Sequence, residues 1–194
     1  MIRDRDRAAS LLIRITVLRI VLIPAVMALV LVGDRVEFAY VIGACLFVVA
    51  AGTDFIDGYL ARRWEATTAL GSFLDTTADK LLVTGAMVAL VAVGRASPWV
   101  AVVIIGRELL ILGLRGMVAL DGTVMPPSIW GKWKATVQFV AITLAMLRLS
   151  EPWGPLYLDE WVMICAAAIT AMSGLEYLGR YSSALSSERR GSVP

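Results

Sequence analysis

Residues 53–80 read TDFIDGYLARRWEATTALGSFLDTTADK. Four aspartates, Asp54, Asp57, Asp75 and Asp79, stand in this stretch between or beside long apolar runs. Asp54 and Asp57 are spaced i, i+3, and Asp75 and Asp79 are spaced i, i+4, so each pair shares one face of a helix. Carboxylates at the edge of an apolar medium are costly to desolvate, and four together repel one another. Divalent cations neutralise such a set most cheaply.

The flanking sequence supplies the apolar medium. Of 194 residues, 59% are hydrophobic, and the mean hydropathy of +0.78 is far above that of a soluble domain. Composition therefore points to an all-α integral membrane protein, and the length suits one bundle rather than two domains. Histidine is absent. This excludes Ser-His-Asp and Cys-His catalysis and every His-ligated metal site. Cys45 and Cys165 sit in apolar runs on different segments, too few for a zinc site, and read as small apolar residues.

Working outward, the apolar runs predict six transmembrane helices, at about residues 11–32, 37–61, 69–93, 99–120, 129–149 and 159–179. Polar or Gly/Pro-containing breaks separate them at Gly33-Asp34-Arg35, 64–68, 94–98, 121–127 and 151–155. Pro24 lies inside the first helix, which a membrane span tolerates. Arg14 and Arg19 interrupt the first apolar run, so it reads as a retained helix rather than a signal peptide. The membrane domain is expected over 1–181, with a juxtamembrane segment in its first ten residues. A disordered polar tail is expected over 182–194.

Basic residues orient the bundle. An even number of spans puts both termini on one side. Fifteen Lys and Arg fall nearer that side, and only Arg35, Arg95 and Arg148 fall opposite. The positive-inside rule then predicts a multi-pass protein of the cytoplasmic membrane with both termini in the cytoplasm.

The uninterrupted apolar cores are shorter than the roughly 20 residues that cross a bilayer. A polar stretch completes each helix, mostly at the same end. Those stretches hold Thr16 and Arg19, the aspartate pairs, Arg107 and Arg115, Lys132 and Lys134, and Glu176. Ionisable groups gathered into one water-accessible cavity can pair. The pattern predicts a cytoplasm-facing polar cavity with acids for metal and bases for phosphate. Such a cavity suits a substrate with a lipid tail and an anionic head.

The central stretch fits DxxDGxxAR-x8-GxxxDxxxD at Asp54, Asp57, Gly58, Ala61, Arg62, Gly71, Asp75 and Asp79. It resembles the signature of the CDP-alcohol phosphotransferases, membrane enzymes of phospholipid synthesis. The resemblance runs from Thr16-Val17-Leu18-Arg19 to Glu176-Tyr177. It implies that Asp54, Asp57 and Asp75 hold two divalent cations, Mg²⁺ or Mn²⁺, and that Asp79 is a further metal ligand, the general base, or both. Thr16, Arg19, Asp54, Gly58, Ala61, Arg62 and Gly71 would bind CDP-diacylglycerol. Glycine leaves room for a flat base or ribose, and arginine can fork onto phosphate. The bland alternative is that the aspartates form salt bridges with Arg62, Arg63 and Lys80. Arg63 and Lys80 themselves read as topological and headgroup contacts.

Ile105-Gly106-Arg107-Glu108, Leu114-Arg115 and Gly131-Lys132-Trp133-Lys134 with Gln138 are similar to family members whose acceptor is glycerol 3-phosphate. Arg107, Arg115, Lys132 and Lys134 would receive its phosphate, with Glu108 orienting an arginine. Inositol phosphate, or phosphatidylglycerol as in cardiolipin synthesis, are the alternative acceptors. Three positions depart from the pattern: Ile13 for a common asparagine, Thr76 for proline and Ala135 for threonine. The resemblance also implies a homodimer among membrane lipids and no nucleic-acid partner. A divalent-cation transporter is the reading from another class. It leaves Gly58, Arg62 and Gly71 unexplained and does not need four basic residues.

Overall fold

In a computed structural model the backbone is described over residues 2–63, 69–120, 129–148 and 152–191. Side chains are described over 13–53, 71, 73–117, 133–148 and 152–179. Six helices dominate the described residues: α1 (Ile2–Leu31), α2 (Ala39–Arg63), α3 (Ala69–Ala92), α4 (Pro98–Leu120), α5 (Ile129–Leu147) and α6 (Leu158–Gly191). A two-residue antiparallel ladder, β1 (Pro152–Trp153) with β2 (Leu156–Tyr157), precedes α6.

Local chemistry accounts for the ends. Gly94 takes φ +70°. Its N–H donates to Val91 O at 3.1 Å and the Arg95 N–H to Leu90 O at 2.8 Å, a Schellman cap on α3. Pro98 opens α4, where its missing N–H costs nothing. Glu160 accepts the Tyr157 N–H at 2.9 Å, closing the first turn of α6, and its charge suits that helix end. The break expected at 151–155 contains the small hairpin, turned by Gly154 at φ +76°. α6 runs on to Gly191, over most of the stretch read as a disordered tail. No Pro or Gly interrupts residues 180–190.

Neighbour packing closes the helices into a ring. α1 packs on α2 and α3, α2 on α5, α5 on α6, α6 on α4, and α4 on α3. Gly85 on α3 lets that helix approach α1 closely. A Cβ there would lie 2.8 Å from Ile23 Cγ2 and 3.1 Å from Met27 Sδ on α1. The buried apolar core occupies one half of the bundle, around Val30, Phe47, Leu90, Ile104 and Met146. In the other half the same helices bury Thr16, Arg19, Glu108, Lys134, Gln138 and Ser173.

The outer surface is apolar. Val21, Val49, Val102, Leu109 and Leu175 are all more than half exposed. Both cysteines lie on this surface. So much exposed apolar side chain fits lipid and not water. Two stretches, Ile13–Leu31 and Leu158–Gly179, are long and apolar enough to cross a membrane, and Ala39–Thr53 and Trp133–Leu147 are shorter apolar helices.

Candidate active site

The polar half of the bundle is assembled from residues one or two helical turns beyond the core. On α1, Thr16 and Arg19 follow the helix face that carries Ile23, Val26 and Val30 into the core, so both are buried. Arg19 Nη1 donates to Asp75 Oδ1 on α3 at 3.1 Å. One turn further along α3, Asp79 Oδ2 accepts from Lys80 Nζ at 2.6 Å. The two carboxylates thus face one end of the bundle and each meets a cation. They keep 35% and 22% of their side-chain surface open, which leaves oxygen available to a further ligand.

Lys80 also reaches across to α4, where its Nζ lies 3.2 Å from Glu108 Oε2. Glu108 is 2% exposed and is the hub of the basic cluster. Its Oε1 accepts from Lys134 Nζ on α5, and Arg107 Nη1 lies 3.7 Å from the same oxygen. A carboxylate this deep is tolerated because three cations surround it. Arg107 Nη2 donates to Ser173 Oγ on α6 at 2.7 Å. Arg115 Nη2 donates to Tyr177 Oη at 2.9 Å. Both guanidinium groups stand 5.5 Å from the centroid of the Tyr177 ring. Gln138 Nε2 donates to Thr170 Oγ1 at 2.8 Å, tying α5 to α6 behind the cluster.

Arg107 and Lys134 therefore share one carboxylate, Glu108, Lys80 is divided between Glu108 and Asp79, and Arg115 stands beside Arg107 at the Tyr177 ring. These four cations against the two anions Glu108 and Asp79 leave an excess of two positive charges. A phosphomonoester carries about that much negative charge near neutral pH. The cluster can thus receive a phosphate without a further counter-ion.

Of the residues singled out in the sequence, the structure brings together Thr16, Arg19, Asp75, Asp79, Arg107, Arg115 and Lys134 in the polar half. Gly71 lies in the first turn of α3. Asp54, Asp57, Gly58, Ala61 and Arg62 fall on α2, and Lys132 on α5, with side chains outside those described. Among the described residues, no group of three or more Asp, Glu, Cys or His gathers to hold a metal ion. Lys80, read as a headgroup contact or as a salt-bridge partner of the aspartates, pairs with Asp79 and with Glu108. Ser173 and Tyr177 were not expected in the site. Their signal is a polar face, Thr170, Ser173 and Tyr177 at i, i+3 and i+7, on an otherwise apolar helix.

Residues 13–172 match the profile of the CDP-alcohol phosphatidyltransferase family. The chain belongs to this family. Among curated relatives, the CDP-diacylglycerol–glycerol-3-phosphate 3-phosphatidyltransferase of Bacillus subtilis is 38% identical, over 89% of this chain and 95% of its own length. The probable phosphatidylglycerophosphate synthase of Mycobacterium tuberculosis is 39% identical, over 92% of this chain and 85% of its own. The corresponding Haemophilus influenzae phosphatidyltransferase is 36% identical, over 84% and 89%. The family assignment rests on nearly the whole helical bundle, and it joins the apolar exterior in making this a membrane protein.

Proposed function

We propose that this phosphatidyltransferase moves the phosphatidyl group of CDP-diacylglycerol to glycerol 3-phosphate, releasing CMP and forming phosphatidylglycerophosphate. The observation that carries the acceptor is the double positive excess of Lys80, Arg107, Arg115 and Lys134 over Glu108 and Asp79. A phosphorylated acceptor matches that excess, whereas a neutral alcohol leaves it uncompensated. The names of the relatives support the same acceptor.

The donor belongs at the aspartate end. The four aspartates of the sequence motif, Asp54, Asp57, Asp75 and Asp79, offer oxygen ligands only, without Cys or His. Such a set fits Mg²⁺ or Mn²⁺ rather than zinc. When bound, two such cations offset the charge of the pyrophosphate and of the departing CMP. Thr16, Arg19, Gly58, Ala61, Arg62 and Gly71 would seat the nucleotide head. Asp79 would take the proton of the acceptor hydroxyl. That oxygen forms its bond to the lipid-bearing phosphorus while the bond to the CMP oxygen breaks, and CMP leaves with the electron pair.

We read all six helices as membrane spans around a cavity open to the cytoplasm, with both termini on that side. The distribution of Lys and Arg and the polar half of the bundle support this reading. The family also supports a homodimer.

The test is CMP release by the detergent-purified protein with CDP-diacylglycerol and Mg²⁺ or Mn²⁺. Glycerol 3-phosphate, inositol phosphate and phosphatidylglycerol are offered in parallel. Metal-dependent release with glycerol 3-phosphate alone is expected, together with its loss in Asp79→Asn. Release with only another acceptor moves the protein within the family, and an active Asp79→Asn removes the assigned base.

A further inference from the structure

The acceptor site was assembled from α4 and α5, yet its two arginines are held by α6. We propose that Tyr177 is a positioning residue for the phosphate of the acceptor, setting Arg107 and Arg115 side by side through its ring and its hydroxyl. The inference rests on the phosphorylated-acceptor reading above.

Three observations carry it. Both guanidinium groups stand at the same ring, 5.5 Å from its centroid, so one aromatic face or edge region serves two cations. Like charges brought to one ring repel, and a protein gains nothing from that unless an anion is to lie between or beside them. Arg115 has no carboxylate within ion-pair distance among the described residues, and its fixed contact is the Tyr177 hydroxyl at 2.9 Å. Arg107 is further confined by its hydrogen bond to Ser173 at 2.7 Å and by Gly174. A Cβ on Gly174 would lie 3.1 Å from Arg107 Cγ, so the bare backbone leaves the stem of that arginine its present course.

Tyr177 itself is 2% exposed and reaches its partners from α6 across to α4, a separation of 62 residues for Arg115 and 66 for the Ser173 bond to Arg107. A tyrosine used only to fill a core needs no charged partner. Here its hydroxyl accepts from one arginine while its π-system attracts both. The guanidinium forks keep further N–H donors, suited to bidentate contact with phosphate oxygens. The class of ligand is a phosphomonoester on a small polyol.

The experiment compares the parent protein with Tyr177→Phe, Tyr177→Leu and Gly174→Ala, in detergent with saturating metal. KM for glycerol 3-phosphate and KM for CDP-diacylglycerol are measured separately, with thermal stability as a control for folding. Tyr177→Phe keeps the ring and loses one hydrogen bond to a charged group, so the acceptor KM should rise about tenfold. Tyr177→Leu loses both interactions and should raise it about 50-fold. Gly174→Ala should raise it severalfold by displacing Arg107. The donor KM should stay within about twofold throughout.

An acceptor KM within twofold of the parent in both Tyr177 variants overturns the proposal. So does an equal rise in both KM values, which marks a general structural defect. If Tyr177→Leu fails to fold, Tyr177→Phe decides the matter alone, because it preserves the packing. Failure of the underlying reading looks different: the parent protein itself would release no CMP with glycerol 3-phosphate.

Discussion

Glu108 shows how a single buried carboxylate can organise the polar half of a helical bundle. Its two oxygens serve Lys80, Lys134 and Arg107 from three helices, and almost none of it reaches solvent. Removing its charge leaves three cations facing one another in a poorly solvated place. Glu108→Gln should therefore destabilise the protein by about 3 kcal/mol, the usual cost of breaking a buried pair. Lys134→Met should cost less, because Glu108 keeps Lys80 and Arg107. The double variant should recover at least about 1 kcal/mol relative to the sum of the two. Detergent-denaturation midpoints of the four proteins give the coupling directly. Strict additivity would show that Glu108 and Lys134 are not partners. Much of this scale was legible beforehand. The aspartates announced themselves by spacing, and mid-helix Arg107 by its need for a partner. The destination of Lys80 was not, since a lysine beside an aspartate near a helix end reads equally as a surface contact. Only the packing of α4 against α3 brings Glu108 to it.

At the scale of elements, the inner helix limits followed closely from apolar runs and from Gly and Pro, while α1 begins at Ile2 and α6 runs to Gly191, beyond the apolar runs that located them. Gly94 ends α3 and Pro98 starts α4 within a residue or two of the expected positions. The hairpin before α6 was not foreseen, because two-residue strands carry no periodicity to read. The order of packing around the ring was equally hidden, since it depends on contacts between helices far apart in sequence. Gly85 is a case in point. In sequence it is one glycine in an apolar run, but in the fold it lets α3 approach Ile23 and Met27 of α1. That contact lies one turn beyond Arg19 on α1, so it also sets the distance over which Arg19 meets Asp75. Gly85→Ala should push the helices apart, lowering stability by about 1–3 kcal/mol. It should also raise the KM for CDP-diacylglycerol more than that for glycerol 3-phosphate, because the donor end depends on α1 while the acceptor cluster is built on α4, α5 and α6. Unchanged stability would mean that α1 yields without cost. A larger effect on the acceptor would mean that Arg19 does not serve the donor.

The whole molecule is divided across its length. One half holds the apolar core, and the other holds the aspartates and the basic cluster. The few basic residues in the apolar half are tied down there. Arg95 donates to Met146 O at 2.7 Å and lies 3.4 Å from the centre of the Tyr40 ring. Arg148 is drawn to Asp159 at 3.6 Å and to Glu160 at 3.7 Å. These arginines are held by groups of the bundle itself. An excess of Lys and Arg at one end is what biases a membrane protein's direction of insertion. Labelling of intact cells can test that direction. With Cys45 and Cys165 replaced by alanine, a cysteine at exposed Glu37, in the turn between α1 and α2, should react with a membrane-impermeant maleimide added from outside. A cysteine at Ser187, toward the far end of α6, should react only after the membrane is opened. The reverse pattern would put the polar half outside the cell, away from the cytoplasmic nucleotide pool that a CDP-linked donor and a released CMP require, and the proposed reaction would then lose its compartment.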